Sequence, residues 1–407
     1  SNTITAASYA NLISLRGAAG NFGTIAGVVN APSMTLQING SAHWTVYSTG
    51  NNWAITQFTG PTTGVCGNFV LGANNALATS ARVQWNTANI TNALDLAGFN
   101  QTIGGLDKTV AGNATVGNSS TTSDSTLTIN GGGYTFNGVI ADTLNGVGTR
   151  KLALTLASGT QILSGTNTYS GATTISAGTL DLRGGAPVNN TSGISIAAGA
   201  TLNLANIAAP VPDTVPLTAS GTGTTLGSTA AAMTGVSTFA LPLGSRQITL
   251  NYNGSNPALY ISAGTLGLTN NPFTINGSVL ANGNYTIIQQ ADAAAITGSV
   301  ASSTVNGTAL TGKIGTVSLS GNTVVLNVSN PGPSGPALLT NSVSGGVLTF
   351  TWPALQGWRL VNQTNSRAIG LNPATNAWFT VPGGVDGSNS ITINPANPTV
   401  FFRLVYP

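Results

Sequence analysis

Between residues 163 and 183 apolar side chains alternate with small polar ones. Thr173 and Ile175 share one parity, Leu180 and Leu182 another, and Gly171, Gly178 and Gly184 punctuate the runs. Alternation of period two predicts short, half-buried strands, and the glycines predict turns between them. The pattern returns: Ile175, Leu180 and Leu182 have counterparts in Ile196, Leu202 and Leu204 with one residue inserted, and in Ile261, Leu266 and Leu268 with identical spacing. A coil of this kind has one apolar face and needs neighbours above and below to bury it. The first two copies are about 20 residues apart, one rung of a β-helix, and are expected to stack directly. The third is distant, so degenerate rungs or another structure are expected between.

The same reading gives an all-β fold class, a β-helix or β-solenoid with a small antiparallel β-sandwich at its C-terminus. Residues 1–85 read as an N-terminal arm followed by an aromatic-rich β cap carrying His43, Trp44, Trp53 and Trp85. Bulky rings there are expected to seal the end of the stack. Residues 86–330 read as a Gly/Thr/Asn-rich solenoid. Within it the prolines at 210, 212 and 216 are expected to interrupt the ladder. Antiparallel hairpins are expected to end it, with type I′ turns at Asn276-Gly277 and Asn306-Gly307 and a type II′ turn at Gly321-Asn322. Residues 331–336 are a stiff Pro/Gly linker. Residues 337–407 hold five alternating runs whose aromatics are expected in a sandwich core, in an arrangement resembling a fibronectin type III module.

The run Ser164-Gly165-Thr166-Asn167-Thr168-Tyr169-Ser170-Gly171, leading into Ile175-Ser176-Ala177-Gly178-Thr179-Leu180, resembles the autotransporter-associated (passenger-associated) β-strand repeat of large bacterial surface and secreted proteins. The resemblance extends more weakly upstream, through residues 94–106 and 133–140, and so covers about half the chain. It implies an extracellular β-helical scaffold and no catalytic residues. The tail departs from an autotransporter in being too short and irregular for a membrane β-barrel.

Composition narrows the function. Charged residues make up 5% of the 407, the net charge is +3, and all eight acidic residues are Asp. Without Glu, and with Thr, Val, Ile and Gly abundant, little helix is expected. No Lys/Arg run exists to neutralise phosphates, so nucleic acid is excluded as a partner. No apolar run reaches the length of a membrane-spanning helix. A start at Ser1 fits a mature exported product, and the lone Cys66 fits a buried small hydrophobe rather than a disulfide partner. Low charge means weak self-repulsion, which favours association.

Candidate chemistry is sparse. Glycan cleavage needs paired carboxylates, whereas Asp95, Asp107, Asp124, Asp142, Asp181, Asp213, Asp292 and Asp386 are scattered. His43 is the single imidazole and reads as a strand residue. Lys108, Lys151 and Lys313 could form isopeptide links to Asn or Asp. Trp44 and Trp53 are the tryptophans expected at the surface. No catalytic, cofactor or metal site is expected, and the chain reads as a non-enzymatic protein. The expected role is an exported structural subunit, secreted to the cell surface, that forms a homopolymer by β-strand addition with residues 1–30 as donor. The alternative is a monomeric adhesin or glycan-binding passenger protein whose partner is cell-surface polysaccharide.

Overall fold

The computed structural model describes residues 4–5, 11–59, 64–65, 67–88, 90–184, 188–208, 211, 215–220, 231–234, 247–300, 305–332, 337–354, 356–385, 387–396 and 399–406. Cys66, Pro210, Pro212, Asp213, Asp386 and residues 333–336 of the expected linker lie outside them. Strand accounts for 52% of the chain and helix for 2%, as a sequence rich in β-branched residues and lacking Glu requires. Two compact units form: Ser1–Leu280 with Asn284–Leu310 and Thr316–Asn327, and Ala281–Gly283 with Thr311–Gly315 and Val328–Pro407.

The first unit is a β-solenoid of about ten turns. Among the described residues its first face is a 15-stranded sheet, its second a 7-stranded sheet and its third an 8-stranded sheet. The cross-section changes along the stack. Early coils use the first and second faces, and the third face begins at Gln101–Ile103. The second face ends at Val139–Ile140. Pairing stays parallel through the region from 206 onward, with Leu202 beside Met233, Met233 beside Ile261 and Leu250 beside Ile275. The solenoid therefore continues to Asn306, which bridges Thr274 in parallel.

Four expectations change. Residues 12–25 are not a free arm: Leu12–Leu15 pairs with Thr35–Ile38, and Phe22–Ile25 with His43–Val46, both in parallel. Their alternating apolar residues suffice to form an outer coil. Pro216 does not interrupt the stack, because its carbonyl accepts from the Ile194 N–H at 2.9 Å and only its missing donor is lost. Asn276-Gly277 and Asn306-Gly307 are coil corners, not type I′ hairpins. Both asparagines lack the positive φ that such turns require. Their glycines are needed because the coil below approaches, and an added Cβ would meet Tyr252 O at 2.0 Å and Ile275 O at 1.9 Å. The third copy of the repeat is out of phase: Ile261 stacks on the first face, in the column of Leu180 and Leu202, while Ile175 belongs to the third. A strand, a glycine corner and another strand read alike at any corner of a coil. At Gly321 (φ +57) the two-residue turn expected between Ile314–Ser320 and Thr323–Ser329 is present, and these neighbours end the long sheet.

Inward columns make the core. On the third face, Ile103, Ile129, Leu156, Ile175, Ile196, Ala219, Leu250 and Ile275 stack without a gap and are all buried. On the first face the column runs Ile38, Phe58, Trp85, Lys108, Phe136, Leu163, Leu182. Phe58 and Trp85 stack at 4.7 Å, and Trp85 reaches Phe136 at 5.4 Å. Lys108, in the rung between them, is 2% exposed and turns its ammonium to the Val110 carbonyl at the corner. Burial of the charge lowers its pKa.

Corners hold the coils close. Gly104, Gly131, Gly159 and Gly178 form a column in which a Cβ would lie 2.0 to 2.3 Å from the carbonyl oxygen of the coil below. Where a strand is short, a buried amide substitutes for the ladder. Gln161 accepts from the Leu106 N–H at 3.0 Å and donates to Leu106 O and Tyr134 O, tying its coil to the two before it.

The second unit is a sandwich of two three-stranded antiparallel sheets. Phe350, Trp352, Leu360 and Val381 are buried between them, with Leu348, Trp358, Ile391, Phe402 and Leu404 packed around. Of the expected core aromatics, Trp378 and Phe401 are only half-buried and Tyr406 is 50% exposed. Thr340–Ser344 adds an edge strand that is exposed throughout and so carried no apolar signature.

Two predictions follow from the corners and the core. Gly159→Ala adds a clash with Gly131 O to an unfavourable φ of +74 and should cost about 3 kcal/mol. Gly146→Ala, at φ +76 with open space around it, should cost about 1 kcal/mol; urea midpoints distinguish the two. For Lys108, the unfolded chain holds the extra proton between the lowered folded pKa and 10.5, so stability should rise as pH climbs towards 10. Lys108→Met should flatten that rise in a series of melting curves.

Candidate interaction surfaces

The first coil is open at its outer side. Among the described residues, nothing pairs with the outer edges of Leu12–Leu15 and Phe22–Ile25. Leu12 is 49% and Phe22 81% exposed. Beside them Ile13, Leu15, Ile25, Val29, Leu36 and Trp44 line a cavity of 390 Å³ at the mouth of the core. Trp44 leans into this mouth, its ring filling the place that a side chain at Gly23 would take. It is half-buried, and Trp53 is 1% exposed with its indole N–H donating to Thr56 Oγ1 at 2.8 Å. Trp53 is therefore no surface tryptophan. A register shift between Ala31 and Thr35 of the neighbouring strand lets both Trp53 and Thr56 point inward, which simple alternation from Phe58 does not predict.

A polar ladder crosses the first face. Ser14 Oγ donates to Gln37 at 3.2 Å, Gln37 to Gln57 at 3.0 Å, Gln57 to Gln84 at 3.0 Å, and Gln84 to Asp107 at 3.1 Å. Arg82 pairs with the same carboxylate at 3.3 Å and lies over the Tyr134 ring. Stacking like amides in register is a known stabiliser of flat parallel sheets. Coil length varies between these glutamines, so sequence periodicity did not reveal them.

The other acids are tied to the backbone. Asp95 accepts from Ala97 N and Ser119 N, Asp124 from Lys151 N, Asp142 from Leu152 N and Ser170 N, and Asp292 from Ala294 N. Asp181 holds Arg183 at 2.7 Å and keeps its guanidinium pKa raised. Asp107 and Asp181 share an outward column but are separated by Thr135 and Ile162, roughly 14 Å at the strand spacing. His43 accepts from Asn68 N and stacks on Phe22. Lys151 is exposed, while Lys313 donates to Asn282 Oδ1 at 3.0 Å and Asn330 Oδ1 at 2.6 Å. Among the described residues no three His, Cys, Asp or Glu side chains come together, and no helix is long and apolar enough to cross a membrane.

One coil stands out chemically. It runs from Thr160–Leu163 on the first face through Thr173–Ile175 on the third and back to Thr179–Gly184, with Thr160 above Thr179. Its residues 158–182 match the family model of the passenger-associated-transport-repeat. The chain carries this repeat. Together with the solenoid, it fits an autotransporter passenger-like repeat protein. The upstream stretches 94–106 and 133–140 lie outside the matched residues. No curated protein and no solved structure matches the chain.

The repeat's sequence explains its place in the stack. The second face ends one coil earlier, leaving Ile140 with an open edge. Asn167 Oδ1 accepts from Ile140 N at 2.8 Å, and Thr168 N and Tyr169 N donate to Ile140 O. Gly165 lets this loop approach Gly138 O, where a Cβ would stand at 1.9 Å. Tyr169 then fills the narrowed core, 1% exposed, its hydroxyl 2.7 Å from Thr173 Oγ1, which lies 3.0 Å from Thr191 Oγ1. Burial raises the Tyr169 pKa. The motif thus closes one face and turns a three-sided coil into a two-sided one.

Tyr169→Phe breaks this hydroxyl chain and should cost about 1 kcal/mol at neutral pH. Because the folded-state pKa is raised, wild-type stability from this group is present below pH 10 and lost above it. The variant should therefore lose less stability than wild type as pH rises past 10 in denaturant titrations.

Proposed function

We propose that this protein is a non-enzymatic, secreted scaffold of the bacterial cell surface that joins copies of itself head to tail by β-strand addition. The observation that carries the reading is the unpaired outer edge of Leu12–Leu15 and Phe22–Ile25, with Leu12 and Phe22 exposed beside an open core mouth. An open edge of this kind is a template for another strand. Leu12–Leu15 belongs to the 15-stranded sheet, whose far end is Ile314–Ser320, also unpaired on its outer side among the described residues. A contact between two different ends does not close on itself and gives an open polymer. In this reading the first coil is the acceptor, and the donor is the terminal hairpin rather than residues 1–30. The non-enzymatic part is supported by the described carboxylates, which are committed to backbone N–H groups, Arg82, Arg183 and Gln84.

The second reading is a monomeric adhesin for surface polysaccharide, which the half-buried Trp378 and the 67% exposed Phe379 of the sandwich favour. Electron microscopy of the full chain at neutral pH separates the two. Regular filaments or sheets are expected, and Leu12→Lys combined with Phe22→Lys should leave dispersed particles with unchanged β-sheet circular dichroism. Dispersed wild-type monomers that bind polysaccharide would replace the scaffold with the adhesin.

A further inference from the structure

One outward column of the third face carries one residue type almost without exception. In strict register, Thr102, Thr128, Thr155, Thr174, Ser195, Thr218, Thr249 and Thr274 form a single file. Eight consecutive coils contribute, each at about 4.8 Å from the next, so the file is about 34 Å long. The register slip in this sheet falls after Ile129, outside the file. The equivalent outward column of the first face is mixed: Ser14, Gln37, Gln57, Gln84, Asp107, Thr135, Ile162 and Asp181. A general preference of strands for Thr would act on both faces. Uniformity on one of them calls for a separate cause.

Three further properties define what this file can recognise. All eight side chains are half-buried, none deeper. Apart from Thr274, which takes the Gln247 amide at 2.6 Å, their hydroxyls make no hydrogen bond within the protein among the described residues. No Asp, Glu, Lys or Arg occurs in any strand of the sheet. The neighbouring outward positions are small or uncharged, with Ala153, Ala172 and Gly193 on one side and Ser176, Ala197 and Ser220 on the other. The file is thus a row of hydroxyl and methyl groups at a fixed repeat, in strands without charged residues and without outward aromatic rings on which a sugar could stack.

We propose that this face binds ice. Complementarity of charge excludes phosphate polymers and anionic lipid, leaving a neutral partner that repeats at the strand spacing. Water in the crystal offers a donor or acceptor to every hydroxyl at a repeat close to that spacing, and the threonine methyls exclude disordered water between them. Each contact is weak, and a rigid file makes them together with no loss of freedom for chain or ligand. A lattice of rungs held by backbone hydrogen bonds supplies that rigidity.

The test is ice-affinity partitioning of the full chain, with an ice-recrystallisation assay beside it. Wild type should be enriched in slowly grown ice at least several-fold over an unrelated protein of similar size, and should hold ice grains small. Thr155→Lys and Thr174→Lys, in mid-file, should abolish both effects, while Gln57→Lys on the first face should keep them, with melting curves showing all three folded. Exclusion of wild type from ice, or unchanged partitioning of the mid-file variants, would overturn the proposal. Binding to microcrystalline cellulose or chitin without enrichment in ice would also overturn it and assign the file to a neutral polysaccharide. Filament formation is read by microscopy alone, so either result leaves the scaffold reading to its own experiment.

Discussion

The structure depends on how closely one coil lies on the next. Parallel ladders bring each backbone within hydrogen-bonding distance of the coil below at every face, and the corners must follow without a side chain in the way. The column Gly104, Gly131, Gly159 and Gly178 meets this at one corner, because a Cβ there would sit inside the van der Waals radius of a carbonyl oxygen. With the corners fixed, the inward columns align by themselves, and buried apolar side chains stack on one another for eight coils of the third face. Elsewhere the ladder is completed by side chains: Gln161, Asn167 and Asp142 take backbone N–H groups that no strand reaches. Buried amides left without such partners would destabilise the stack by more than their hydrogen bonds contribute.

The same constraint explains how the cross-section changes without breaking the solenoid. A face can be dropped only where something satisfies the edge it leaves. At Ile140 the matched repeat does this with one asparagine side chain, two backbone donors and a buried tyrosine. A solenoid built this way is rigid along its length and has outward positions at a constant spacing. Its ends cannot satisfy themselves. Among the described residues the outer edges of Leu12–Leu15 and Ile314–Ser320 are unpaired, and the outward files repeat at the strand spacing.

Lys108 marks the cost of a strictly periodic core. Its position belongs to an apolar column, and its four-carbon stem fills the rung between Trp85 and Phe136 while the ammonium escapes to a corner carbonyl. The arrangement tolerates the charge at the expense of a lowered pKa. The opposite shift occurs at Tyr169 and at Tyr252, which burial pushes up to about 12, since a buried phenol resists ionisation.

What the sequence determined by itself was local: strands of period two, glycine corners, direct stacking of Leu180 on Leu202, the hairpin turn at Gly321-Asn322, and a C-terminal sandwich built on Phe350 and Trp352. These depend on neighbours a few residues apart, or on one coil length. Tertiary structure decided what depends on register. Ile261 has the spacing of Ile175 and sits on another face, because a corner looks the same wherever it falls in the coil. Asn276-Gly277 has the composition of a hairpin turn and is a corner, because glycine there answers a close approach rather than a turn type. Trp53 is inward because a bulge in the neighbouring strand reset the alternation. The threonine file, spread over 172 residues at unequal intervals, exists only once every coil length has been fixed by the hydrogen bonds beneath it.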